Sequence, residues 1–122
     1  MKIDIPFAVT AWEQAVYDTP AEGPALARAT VKKAYNGALV GEGVAELLMC
    51  GQEGYIANER VTGTLDGRTG TFVIQHGGMR VGDRTMNQFG AVVPGSGTGD
   101  LATLRGDAII NHGMLSFDYT FD

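Results

Sequence analysis

The sequence predicts an all-β fold: one closed antiparallel barrel of about eight strands over residues 1–122. Three observations predict it. Apolar and polar residues alternate with a period of two along most of the chain, as in strands with one buried face. Hairpin-type pairs such as Asn36-Gly37, Asp66-Gly67 and Gly82-Asp83 punctuate that alternation at regular spacing. The 18 glycines are scattered rather than periodic, which suits turns and bulges and excludes a repeat.

The elements follow in order. Ile3, Ile5, Phe7 and Val9 share one face of an opening strand. Residues 10–25 are less regular; they are read as a loop at Pro20, Gly23 and Pro24, with one helical turn around Trp12–Tyr17. Residues 26–39 read as a long strand, or as one turning at Asn36-Gly37. Further strands are expected over 42–50, 54–65, 69–78, 85–95, 100–110 and 113–121. Of these, 42–50 also carries helix formers, Ala45 to Met49.

The turns set registers. A two-residue turn at Asp66-Gly67 pairs Leu65 with Arg68, Val61 with Phe72, Glu59 with Ile74 and Ala57 with His76. A turn at Gly82-Asp83 would put Phe89, Ala91 and Val93 opposite His76, Ile74 and Phe72. One at Asn111-His112 would set Leu115, Phe117, Tyr119 and Phe121 against Ala108, Gly106, Leu104 and Ala102, and Arg105 outside against Asp118. Large residues facing small ones suit a tapered barrel interior.

Composition narrows the function classes. A net charge of −5, with Lys32-Lys33 the only adjacent basic pair, argues against nucleic acid. No apolar run reaches the length of a membrane span. The single Cys50 cannot form an internal disulfide and is expected as a small apolar filler. The opening Met1-Lys2-Ile3-Asp4-Ile5-Pro6 does not read as a secretory signal, so a cytoplasmic protein is expected. Two histidines and one cysteine, widely spaced, make no zinc pattern. No cofactor is expected.

The candidate chemistry centres on His76, which shares an inward face with Phe72 and Ile74. Glu59 lies inward with Tyr55, Ala57 and Val61. The Asp66-Gly67 turn makes it a diagonal neighbour of His76, with Cα atoms roughly 7–8 Å apart. A carboxylate beside an imidazole can work as an acid–base pair; it can equally be a hydrogen-bonded polar pair of the core. Glu46 faces Glu59 inside if Gln52-Glu53 makes a two-residue turn. A loop one residue shorter or longer turns Ala45, Leu47 and Met49 inward instead, and patterning favours that alternative. Glu46, Glu59 and His76 would make a His-plus-carboxylate metal site only in the first case, and none is expected. Tyr35, Tyr55, Tyr119 and Trp12 are read as core or mouth aromatics. The stretch Val92–Leu101 suggests an anion loop, but it lacks a Gly-Lys-Ser/Thr ending and a following helix. It reads as a wide turn closed by Ser, Thr and Asp side chains.

The run Gly67-Arg68-x-Gly70-x-Phe72 ending in Gln75-His76, followed by Ser96-Gly97-Thr98-Gly99-Asp100-Leu101, resembles the bacterial family called domain of unknown function 3224. The resemblance extends over nearly the whole chain. It implies an eight-stranded barrel like that of allene oxide cyclase, in the lipocalin-like shape class, and transfers no activity. Cys50 and Gly51 stand near a position expected to be aromatic more often in relatives.

Two functions compete. In one, the interior binds a small apolar molecule, with an isomerase- or cyclase-like use of Glu59 and His76; Tyr55, Phe72, Ile74, Phe89, Phe117 and Tyr119 line it, with Glu46 as a further candidate. In the other, the barrel is filled and the protein is a homo-oligomeric module, with Val31, Val73 and Ile109 on its outer face.

Overall fold

The computed structural model describes residues 1–122. It contains eight antiparallel strands: β1 (Lys2–Asp18), β2 (Leu26–Asn36), β3 (Leu39–Cys50), β4 (Gly54–Leu65), β5 (Arg68–Val81), β6 (Arg84–Val92), β7 (Leu104–Asn111) and β8 (Met114–Phe121). One 3₁₀ turn, Gly99–Leu101, is the only helical element, so no helix is long and apolar enough to cross a membrane. The strands follow chain order round a ring-like sheet, and β1 meets both β2 and β8. Residues 42–50, for all their helix formers, are strand. Burying one alternating face against the interior outweighs a propensity difference of about 1 kcal/mol or less per residue.

The ring is complete at one end and split at the other. β1 pairs with β8 over Lys2–Pro6 and with β2 from Phe7 to Asp18; beyond Phe7 its other edge meets no strand. β6 touches β7 through the single pair Ala91–Asp107, and its Arg84–Asn87 end pairs with β5 alone. The complete end is packed solid by Ile5, Leu39, Val61, Leu65, Phe72, Ile74, Leu101 and Leu115, all inaccessible to solvent, with Phe117 stacked on Phe72.

Three register shifts fall in the split end; the one at Val16/Asp18 lies at the tip of β1, and the other two shape the interior. At Val9/Ala11 the β1–β2 register slips by one residue. Before it, Phe7 and Val9 stand opposite the inward Tyr35 and Lys33; after it, Trp12, Gln14 and Val16 stand opposite the inward Val31, Ala29 and Ala27. The expected helical turn at Trp12–Tyr17 is therefore strand. Its alternation looked irregular because the inward parity changes from odd to even at Thr10.

The second bulge corrects the β5–β6 register. The β4–β5 hairpin has the expected pairs, with Asp66 and Gly67 both at positive φ. The turn at Gly82-Asp83 also forms, with Val81 opposite Arg84. An extra residue then enters β6 near Asn87, itself at φ 52, so His76 faces Gly90 and Ile74 faces Val92. Phe89 is thereby turned outward, 48% exposed, with its ring over Gly77.

In the β7–β8 hairpin the turn falls at His112-Gly113. Phe117 pairs with Ala108 and Tyr119 with Gly106, two residues from the expected register with the same faces inward. Arg105 pairs with Asp122 at 3.1 Å rather than with Asp118. Val31 is buried on the inner face, not the outer, and Cys50 is exposed rather than a filler.

The glycine-rich loop closes the packed end. Thr98 N–H donates to the Thr71 carbonyl at 2.8 Å, Val73 N–H to Ser96 Oγ at 3.0 Å, and Thr69 N–H to Asp100 Oδ2 at 3.2 Å. Residues 96–100 thus take the place of a strand along the part of β5 that β6 does not reach, and Leu101 drops into the core. This is the side-chain-closed turn expected from sequence, with the Ser96, Thr98 and Asp100 side chains all bonded to β5.

The thin β6–β7 seam depends on Gly90, where a Cβ would fall on the Ala108 carbonyl oxygen. Gly90→Ala is expected to cost about 2–3 kcal/mol in urea unfolding, the upper part of the range for overpacking. A loss below about 0.5 kcal/mol would show that the seam can yield.

Candidate functional site

At the boundary between the packed end and the split end lies one connected polar cluster. The inward row of β2, Ala27-Ala29-Val31-Lys33-Tyr35, carries a lysine and a tyrosine among small apolar residues. β4 contributes Glu59 and Tyr55, and β5 contributes His76. Diagonal placement of Glu59 and His76 across β4–β5 brings His76 Nε2 to 2.9 Å from Glu59 Oε1. Lys33 Nζ donates to the same oxygen at 2.9 Å, and the Tyr35 hydroxyl donates to Oε2. The Tyr55 hydroxyl lies 3.0 Å from His76 Nδ1. On β3, Gly43 leaves room for the carboxylate, since a Cβ there would fall on Glu59 Oε2.

With Glu59 ionised, one neutral tautomer of His76 satisfies every atom: Nε2–H donates to Glu59, and Nδ1 accepts from Tyr55. No buried side-chain polar atom lacks a partner. Glu59 is fully buried, and burial by itself would raise its pKa. The hydrogen bond from His76, the Lys33 charge and the hydrogen bond from Tyr35 outweigh that and hold it at about 2, against an ordinary 4.5. Tyr55 is pushed up to about 12, first by burial and then by the Glu59 charge. Tyr35 is driven further above the ordinary phenol range by burial, then by the charge and hydrogen bond of Glu59. Both phenols therefore keep their protons near neutral pH.

Above the cluster the split end encloses a cavity of about 550 Å³. Lys33, Tyr55 and His76 form its floor. Phe7, Val9, Trp12, Val31, Leu47 and Met49 form apolar walls, and polar side chains including Gln14, Glu53, Arg80 and Gln88 stand at the rim. Lys33 Nζ lies 4.5 Å from the centre of the Phe7 ring. Volume and lining fall within the ordinary range of small-molecule sites.

Of the residues singled out from sequence, His76, Glu59 and Tyr55 meet in this cluster. Phe72, Ile74 and Phe117 lie in the packed core, and Tyr119 stacks on Phe117 within it, so none of the four lines the cavity. Phe89 is outside. Glu46 is also outside, because the β3–β4 connection spans Gly51–Glu53 and sets Ala45, not Glu46, opposite Glu59. There it accepts from Thr30 Oγ1 at 3.0 and 2.9 Å. Glu46 thus cannot join Glu59 and His76 around a metal. Lys33, Tyr35 and Trp12 are site residues that patterning did not bring together. The available signal was that the odd row of β2 is less charged than its even row, Arg28-Thr30-Lys32, apart from Lys33 itself.

A ring-like antiparallel sheet with a filled end, an open end and a polar floor between them defines a small β-barrel protein with an interior cavity. Residues 4–122 match the family described as Protein of unknown function (DUF3224), and the chain belongs to it. The fold is similar to the crystal structure of a protein of unknown function from the same family in Shewanella oneidensis MR-1. The two share 32% identity and a TM-score of 0.86, over 100% of this chain and 97% of that one. No curated protein matches the chain.

The lowered Glu59 pKa has a consequence for acid stability. A carboxyl whose folded pKa lies below its unfolded value stabilises the fold above about pH 4.5, and that contribution is lost as pH falls towards 2. Glu59→Gln is expected to lower stability at pH 7 by about 3–5 kcal/mol, by leaving Lys33 buried without its counter-charge. It should also flatten the fall in unfolding free energy over that acid window. Unchanged acid dependence in the variant would remove Glu59 as its source.

Proposed function

We propose that the split end of the barrel binds a small, largely apolar molecule, with Lys33, Tyr55 and His76 meeting its polar end. The observation that carries this reading is the cavity of about 550 Å³ next to a buried polar cluster in which each side-chain polar atom has at least one partner. Small antiparallel barrels of the lipocalin-like and allene oxide cyclase-like kind hold single ligands in such space, an analogy of shape alone. A catalytic use, isomerisation or cyclisation of the bound molecule, would run through Tyr55 and His76. Glu59 would orient His76 without touching substrate, since both its oxygens are occupied and it is 0% exposed.

The free edges of β1 and β6 favour a second reading, a module that self-assembles by strand pairing. Tyr17, on the outward row near the end of β1, is about half exposed, which suits burial against another copy. A monomer by sedimentation across a wide concentration range would remove it.

Trp12 is the only tryptophan and stands on the cavity wall. Titration with 1-octanol is expected to give a saturable blue shift of its emission. Val31→Phe, which fills the cavity from β2, should weaken binding several-fold. A flat titration across 1-octanol and other apolar probes would overturn the binding reading.

A further inference from the structure

We infer that the cavity takes an apolar molecule ending in a carboxylate, and that binding it loads one proton onto His76 while the Tyr55 hydroxyl turns from His76 to the ligand. This rests on the cavity being a binding site, and it adds the chemical class of the ligand and the proton that accompanies it.

The hydrogen-bond inventory of the floor is one-sided. Glu59 is the only buried carboxylate, and it offers nothing to the cavity: Oε1 accepts from Lys33 and His76, and Oε2 from Tyr35. The Lys33 ammonium has three N–H groups, and Glu59 Oε1 is its one protein acceptor. It sits on the cavity floor with donors to spare, so a ligand end placed there is best an acceptor, and a cationic end is repelled.

Charge separates a carboxylate from an alcohol or ketone. With His76 neutral, Lys33 and Glu59 cancel. The other groups around His76 add no net charge: Tyr55 on β4 and Tyr35 on β2 are protonated phenols, β3 brings Ala45 and Leu47, β6 brings Gly90, β1 brings Phe7, and a second pocket that His76 borders carries the opposite charges of Arg28 on β2 and Glu46 on β3. At the rim, Glu53 and Arg80 have opposite charges. A bare carboxylate would add one unbalanced negative charge to a largely desolvated floor, which is costly. A proton on His76 restores neutrality, and its Nδ1 is the one basic nitrogen of the floor with a lone pair to take it.

The geometry accommodates that proton without moving a heavy atom. It goes to Nδ1, the nitrogen that faces Tyr55 at 3.0 Å, while Nε2–H keeps its bond to Glu59. Nδ1–H then donates to the phenol oxygen, and the Tyr55 O–H, no longer needed by His76, is free to donate to the carboxylate. The result is a continuous chain from ligand to Tyr55 to His76 to Glu59, with Lys33 bridging Glu59 and the ligand.

The test compares octanoate, 1-octanol and octylamine on the intact protein. Binding is followed by Trp12 emission and by calorimetry in two buffers of different ionisation enthalpy. Octanoate should bind about tenfold or more tightly than 1-octanol, as charge-assisted hydrogen bonds imply, and octylamine should bind weakest. Close to one proton should be taken up with octanoate and none with 1-octanol. Octanoate affinity should fall as pH rises, by up to about tenfold per pH unit, the limit for one linked proton. His76→Gln should abolish the uptake, and Tyr55→Phe should weaken octanoate more than 1-octanol. If 1-octanol binds and octanoate binds no better, or binds without proton uptake, the carboxylate inference falls and the cavity reading stands. If none of the three binds, both fall.

Discussion

The constraint on which the rest of the structure depends is the burial of one ionised carboxylate. Glu59 is withdrawn from solvent, and an unpaired charge there would cost several kcal/mol. Four strands answer that cost. β2 supplies a cation and a phenol through Lys33 and Tyr35, and β5 supplies the imidazole of His76. β4 carries Glu59 itself, with Tyr55 behind the imidazole. β3 answers by absence, with a glycine where any side chain would displace the carboxylate. These demands fix the register of β2 through β5, because a slip of one residue would point each partner at solvent.

The same cluster marks where the barrel changes character. On one side the interior is filled by the β8 aromatics, by Phe72 and by Leu101 delivered from the glycine-rich loop. On the other side the interior is empty, and it is bulges that make it so. The slip at Thr10 sends β1 onward with a new inward row, past the reach of β8. The extra residue near Asn87 turns Phe89 outward, leaving Gly90 beside His76. Without the second bulge a phenyl ring would stand opposite His76 and occupy much of the cavity floor. A local irregularity of one residue therefore decides whether His76 borders a cavity or a filled core.

This is also why the sequence disclosed the fold so much better than the site. Seven strands, and the eighth as far as Thr10, followed from alternation and turn chemistry, and the Asp66-Gly67 hairpin placed Glu59 near His76 without any structure. Alternation assumes an unbroken period of two. It therefore failed at the two bulges, assigning Phe89 to the lining and leaving Trp12 out of a strand. The loop between β3 and β4 decided Glu46 in the same manner, three connecting residues instead of two reversing its face. Lys33 was hidden for a different reason: a charged residue in an alternating row ordinarily argues that the row faces solvent. Nothing local shows that its counter-charge lies on a strand some two dozen residues further along the chain.

A buried ion pair with its hydrogen-bonded partners is weak evidence of stability, because apolar residues of the same volume commonly hold a fold as well or better. The packed end of this barrel shows that solution in use, with Phe72, Ile74 and Phe117 filling it and no charge present. The polar cluster instead sits at the junction with the open end, and three of its five members face the cavity. If its task were only to hold strands together, it would serve equally in the closed half, where nothing competes with its hydrogen bonds. Its position places the donors of Lys33 and Tyr55 and the ring of His76 at the bottom of a cavity with apolar walls. Keeping Lys33, Glu59 and His76 in place of hydrophobic side chains forgoes stability at the junction, and what it leaves there is a polar floor beneath an apolar cavity rather than a tighter core.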